Sequence, residues 1–202
     1  MSADTYDISA SDTLIIHRAD GTMNHQPCYV LKHTMCVILH SKIVREEQNM
    51  SETLRAGDAA PDIEAETYGG EKIKLSNFHG RKTVALYFYP KDYTGGCTKE
   101  ACSIRDGYGE LEALGVEVLG VSTDSVKSHE GFRDKHSLNF PLLSDNDKKI
   151  VKAYGVESAS GSAKRETFLI DKSGIIRHIW TKVDTAGHAD QIAKKVKELG
   201  LE

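Results

Sequence analysis

The chain has 202 residues, 39% hydrophobic and 28% charged with one tryptophan, which is long enough for one sizeable core and one main folded domain. A formal charge of −4 with no basic block gives no footing for nucleic acid or an anionic membrane, and no stretch nears the roughly 18 uninterrupted apolar residues of a spanning helix, so a small-molecule substrate is expected. Four cysteines at this length do not make a disulfide scaffold; a reducing, cytoplasmic setting with a redox or catalytic use fits them better.

Residues 1–49 do not read like the rest. Their apolar patches, Leu14 to Ile16, Tyr29 to Leu31 and Cys36 to Leu39, are short and share no helical or strand period, and the segment holds four of the nine histidines. It lacks the charged start, apolar stretch and small-residue cleavage site of a secretory signal, and Asp4, Asp7, Asp12 and Asp20 argue against a transit peptide. Met50 then opens MSETLRAGDAAPD, which reads as the beginning of a compact enzyme. The expected organisation is an N-terminal extension over 1–49, poorly ordered or non-native, and a folded domain over 50–202. Cys28-x4-His33-x2-Cys36 offers three zinc-type ligands, but a structural site wants a fourth, and His25 and His40 belong to a histidine-rich tract. These are read as unligated side chains.

From Ala60 the chain is regular. Asp62 to Thr67 and Glu71 to Leu75 alternate around the turn Tyr68-Gly69-Gly70, the pattern of a hairpin. Thr83 to Tyr89 is a β-branched, aliphatic and aromatic run closed by Pro90, a strand buried on both faces. A polar turn over Lys91 to Gly96 follows, and then Ala101, Ile104, Tyr108, Leu111 and Leu114 at helical spacing, so a helix starts near Cys97. Val116 to Val121 is the next strand; a helix over Val126 to His136 is capped by Asp124 or Ser125. Phe140 to Leu143 reads as a short strand and Asp147 to Tyr154 as a short helix. Glu166 to Asp171 and Ile175 to Trp180 form a late hairpin about Lys172-Ser173-Gly174, and Ala189 to Leu199 is a closing helix with Gly200 as C-cap. Strands alternating with helices, plus that hairpin, make an α/β fold with a mixed central sheet flanked by helices.

The chemistry lies where the buried strand gives way to the helix. The first turn of a helix has unpaired N–H groups and the positive end of the macrodipole, so a thiol at Cys97 is expected to ionise more readily, and the thiolate is the nucleophile. Cys97 shares the face of Ala101, Ile104, Tyr108 and Leu111, which places it against packed structure. Cys102 follows five residues on. On an intact helix their Cα atoms would be about 8–9 Å apart, beyond the roughly 7 Å limit of a disulfide, so pairing requires the first turns to unwind. Taken alone, Cys-x4-Cys is matched by two ordinary buried cysteines.

Pro90-x3-Thr94-x2-Cys97-x2-Glu100 resembles the active-site motif of the peroxiredoxins. The following Ala101-Cys102 is similar to the bacterioferritin-comigratory, PrxQ-type branch, whose resolving cysteine lies five residues after the peroxidatic one. The likeness runs over about Leu54 to Leu199, roughly three quarters of the chain. It implies a thioredoxin-like fold and a peroxidase in which Cys97 is oxidised by peroxide to a sulfenic acid. Cys102 then closes a disulfide, and thioredoxin or a similar dithiol reduces it, with no cofactor or metal and as a monomer or weak dimer. By the same resemblance Arg165 is the pocket arginine, Thr94 the pocket hydroxyl, Pro90 the shield of the pocket, and Glu100 the residue that orients the arginine. The five histidines after residue 49, His79, His129, His136, His178 and His188, form no constellation with Cys97 in sequence and are expected on the surface or in packing. Gly95-Gly96, where many relatives have proline first, and Gly107 and Gly109 within the helix are expected to ease unwinding. Two other readings stay open: a thioredoxin-fold binding or chaperone module without peroxidase activity, and a metal-binding protein using all four cysteines.

Overall fold

The computed structural model describes residues 53–202 and, before them, three strands, β1 (Thr5–Ile8), β2 (Thr13–His17) and β3 (Met23–Pro27). The chain divides into two units, Met1–Glu52 and Thr53–Glu202. In the first, β1, β2 and β3 pair antiparallel in that order, with Tyr6 opposite Ile16 and Ile15 opposite His25. Sequence reasoning drew no strand here, because strands of four and five residues fall below the length at which a period shows. Cys28, His33, Cys36 and His40 lie outside the described residues.

The second unit is built on a seven-stranded mixed sheet. Its strands are β4 (Glu64–Glu66), β5 (Lys72–Lys74), β6 (Thr83–Phe88), β7 (Val116–Ser122), β8 (Leu142–Ser144), β9 (Glu166–Ile170) and β10 (Ile176–Trp180). Their order is β10-β9-β6-β7-β8-β4-β5, with β6, β7 and β8 parallel and the outer pairs antiparallel. β6 and β7 lie at the centre and every residue of both is buried, as their unbroken apolar runs require. A parallel pair needs a crossover, supplied here by helix α1 (Gly95–Ala113). With α2 (Val126–His136), α3 (Lys149–Ala153) and α4 (His188–Leu199) as the other described α-helices, the expected α/β architecture with a mixed central sheet is the one observed.

Alternation along β6 divides the core. Ala85 and Tyr87 belong to the cluster that holds Cys97, Ala101, Ile104 and Leu111 of α1, Phe132 of α2 and Ile192, Ala193 and Val196 of α4. Val84, Leu86 and Phe88 belong to the other, with Ile150 and Val151 of α3 and Phe168 and Ile170 of β9. Side chains of period two on a pleated strand supply both faces.

Several boundaries shift for local reasons. Pro141 has no N–H to give a ladder, so β8 begins at Leu142 rather than Phe140. Lys148 takes a left-handed φ of 59°, so α3 begins at Lys149, two residues later than expected, and the Asp145 carboxylate accepts from the N–H groups of Ile150 and Val151 at 3.0 and 2.8 Å. α2 keeps its expected span, and Ser125 is its cap, accepting from Ser128 N–H at 3.3 Å. Gly200 ends α4 in the left-handed region with φ 61°. Gly107 is a packing residue rather than a weak point: a Cβ built there would stand 2.5 Å from the Cβ of Ala189, so its bare α-carbon lets α1 and α4 touch. At Gly109 nothing lies within 4 Å of such a Cβ.

Candidate active site

The register of β6 against β9 assembles the site. Phe88 pairs with Glu166, so one further step along both strands brings Arg165 level with Tyr89. This is the end of β6 where half-buried Pro90 stops the strand and the chain turns toward α1. α1 starts at Gly95 with Thr94 at its N-cap, two residues earlier than expected. Cys97 is therefore third in the first turn, among N–H groups without intrahelical partners. It is 1% exposed, within the core cluster that the helical spacing predicted.

Arg165 bridges two acidic groups. Its Nη2 donates to Cys97 Sγ at 3.2 Å, and its Nη1 donates to Glu100 Oε2. Gly96 makes room for this: a Cβ there would lie 3.1 Å from Nη2. Glu100 has no exposed surface, and burial pushes its carboxyl up to about 7 although the charge and hydrogen bond of Arg165 pull the other way. Burial also acts to lower Arg165, but the charges of Glu100 and Cys97 outweigh it and the guanidinium is held more firmly protonated. Both groups are shifted upward, which disfavours the charged carboxylate and favours the charged guanidinium, because desolvation weighs more on a fully buried carboxylate than on a half-buried guanidinium.

Cys102 is half-buried on the same unbroken helix, and among the described residues the cysteines Cys97 and Cys102 are both free thiols. Thr94 is exposed, and its hydroxyl donates to the Lys91 carbonyl at 2.9 Å, closing the turn before α1. The described bond of that hydroxyl is thus to the turn, not to the sulfur.

The family model described as AhpC/TSA matches residues 56–179. The chain is 41% identical over 152 residues to peroxiredoxin Bcp of Escherichia coli strain K12, covering 72% of this chain and 97% of that protein. The chain belongs to the AhpC/TSA family, as a peroxiredoxin. Peroxiredoxin Bcp of Bacillus subtilis is 39% identical over 154 residues, covering 73% and 98% of the two chains. Among solved structures, PrxQ of Xylella fastidiosa, a cysteine-to-serine mutant, superposes with a TM-score of 0.69 at 32% identity over 74% of this chain and 99% of its own. The bacterioferritin comigratory protein of Xanthomonas campestris, studied for alkyl peroxide reduction activity, gives a TM-score of 0.66 at 35% identity over 74% and 99%. The fold is accordingly thioredoxin-like, and the protein is an enzyme, a thiol-dependent peroxidase.

Two groups of this peroxiredoxin's site were not legible from spacing. Asp92 is buried beneath the turn and accepts from Tyr89 Oη at 2.8 Å, Ser128 Oγ at 2.6 Å and His129 Nδ1 at 2.9 Å, while its own N–H donates to Asp124 at 2.9 Å. Burial acts to raise its carboxyl, but the bonds from His129, Ser128 and Tyr89 outweigh that and hold it below the usual range. This network ties the Lys91–Tyr93 turn, with φ 59° at Tyr93, to α2. The second group is His188, fully buried at the start of α4, with Nε2 at 2.9 Å from Thr167 Oγ1 and 4.0 Å from Glu100 Oε1. Burial drives it down to about 4, so it is neutral at pH 7 and is no counter-ion for Glu100. Both histidines were expected in surface or packing roles and both are buried; strand and helix pairing alone brings His188 beside Glu100.

Proposed function

We propose that this peroxiredoxin reduces hydrogen peroxide and organic hydroperoxides through a Cys97–Cys102 cycle completed by thioredoxin or a similar dithiol, in the cytoplasm, as a monomer or weak dimer. The Cys97 thiolate attacks one peroxide oxygen. An S–O bond forms, the O–O bond breaks, and the leaving oxyanion takes a proton as Cys97 becomes a sulfenic acid. Cys102 then attacks that sulfur, expelling water and closing a disulfide, and a dithiol donor opens it by exchange.

One observation carries the reading: a single guanidinium, Arg165, lies 3.2 Å from a buried sulfur in the first turn of a helix. Fixed there, it favours both the thiolate and the negative oxygen that develops during O–O cleavage. Glu100 holds the guanidinium from its other side, Pro90 bounds the mouth of the site, and Thr94 fixes the turn that leads to Cys97. The alkyl peroxide activity of the Xanthomonas relative supports organic hydroperoxides as substrates. Only Tyr93 and Leu199 are large exposed hydrophobics among the described residues, which favours weak association over a tight interface.

The test is peroxide turnover with thioredoxin and its reductase. Cys97→Ser is expected to abolish it, by about 10³-fold or more. Cys102→Ser is expected to consume one equivalent of peroxide and then stop; full turnover in that variant would remove Cys102 from the cycle.

A further inference from the structure

We propose that Glu100 is a proton-carrying latch: closing the Cys97–Cys102 disulfide pulls its carboxyl out of the Arg165 pocket and releases a proton, so the redox equilibrium of the two cysteines depends on pH near neutrality. The inference rests on the disulfide cycle proposed above.

Its basis is placement. Glu100 sits between the two cysteines in the chain, and the bond between them cannot form while that turn is helical. Unwinding is bounded on the far side. The N–H of Ala189 in α4 donates to Ser103 Oγ at 3.4 Å, and Gly107 packs directly on Ala189, so α4 clamps α1 from Ser103 onward. The segment left to unwind, residues 95–102, contains one carboxylate, Glu100, and it is fully buried. Cys102 cannot reach Cys97 without carrying Glu100 away from Arg165.

The charge count in the closed site gives the proton its place. Tyr87 of β6, His188 of α4, Arg165 and Thr167 beside it on β9, and Cys97 of α1 face or surround the carboxyl. Burial raises Tyr87 well above its ordinary range and lowers His188 to about 4, so both are neutral at pH 7. That leaves one cation for two potential anions, the Cys97 sulfur and the Glu100 carboxylate. Glu100 Oε1 also has no hydrogen-bond partner among the described residues. A proton on the carboxyl relieves the surplus negative charge, in keeping with a carboxyl raised to about 7. Drawn into water, the same group returns to about 4.3. Between those values the dithiol form holds a proton that the disulfide form has released, so acid favours the dithiol. Reduction then takes two electrons and, besides whatever protons the two sulfurs hold, one further proton that ends on Glu100.

The experiment measures the equilibrium of wild type and Glu100→Gln with dithiothreitol from pH 5 to pH 8. The wild-type constant for reduction, divided by that of the variant, is expected to rise about tenfold from pH 8 to pH 6. A ratio flat within about twofold would overturn the latch. On wild type alone, the infrared difference between dithiol and disulfide forms at pH 6 should show loss of a protonated-carboxyl band on oxidation, which decides the matter even if the glutamine variant fails to fold; no such loss contradicts it. If peroxide yields no Cys97–Cys102 bond by mass spectrometry, the cycle falls and the latch with it. A disulfide that forms with a flat ratio removes the latch alone.

Discussion

At Gly96 a single added methyl group would stand 3.1 Å from Arg165 Nη2, so Gly96→Ala is expected to push the guanidinium off the sulfur by a few tenths of an ångström. Such a displacement at a reacting centre lowers kcat/KM about 10- to 100-fold, whereas alanine in a first helical turn leaves stability level or slightly raised. Steady-state peroxide assays and thermal melts separate the two effects. Arg165→Gln, which keeps hydrogen-bonding capacity but removes the charge, is expected to cost about 10²- to 10³-fold in kcat/KM at unchanged fold. Cys97 and Cys102 stood out because they lie in one short string at a strand-to-helix junction, and the role of Glu100, like that of Arg165, was read through resemblance. Asp92, His129 and His188 were not legible, since the partners of each lie on other elements and no local pattern announces them. Asp92→Ala would strand Tyr89 Oη, Ser128 Oγ and His129 Nδ1 in a dry interior. The expected loss is about 2–4 kcal/mol, read as a shift in the urea midpoint.

Between elements, the contact of α1 with α4 sets how far the active-site helix is free to open. Gly107→Ala places a Cβ 2.5 Å from that of Ala189 and is expected to cost about 1–3 kcal/mol by overpacking. Ala189→Gly in the same chain removes the clash and should return most of that loss, a coupling that a double-mutant cycle measures. Read from the sequence, Gly107 looked like a helix weakness, because propensity knows nothing of the neighbour across the interface. Strands β6 and β7 and helix α2 were legible to within a residue, since long apolar runs and a capped period leave one reading. The start of β8 and the start of α3 were not, because a missing N–H at Pro141 and a left-handed Lys148 decide them.

For the molecule as a whole, the family model matches residues 56–179 and the seven-stranded sheet lies within the second unit, Thr53–Glu202. A chain beginning at Met50 is predicted to keep peroxidase turnover within about twofold of the full protein, a level at which surface changes away from a site usually fall. Loss of activity in that chain would assign the N-terminal unit a part in the reaction. No described helix is long and apolar enough to cross a membrane. The most direct test of the central claim is a single turnover: one equivalent of hydrogen peroxide is added to the fully reduced protein, quenched within seconds, and analysed by mass spectrometry of its peptides. The predicted result is Cys97 joined to Cys102 with the loss of two hydrogen atoms. Cys97 recovered as an unmodified thiol after the peroxide has been consumed would contradict it.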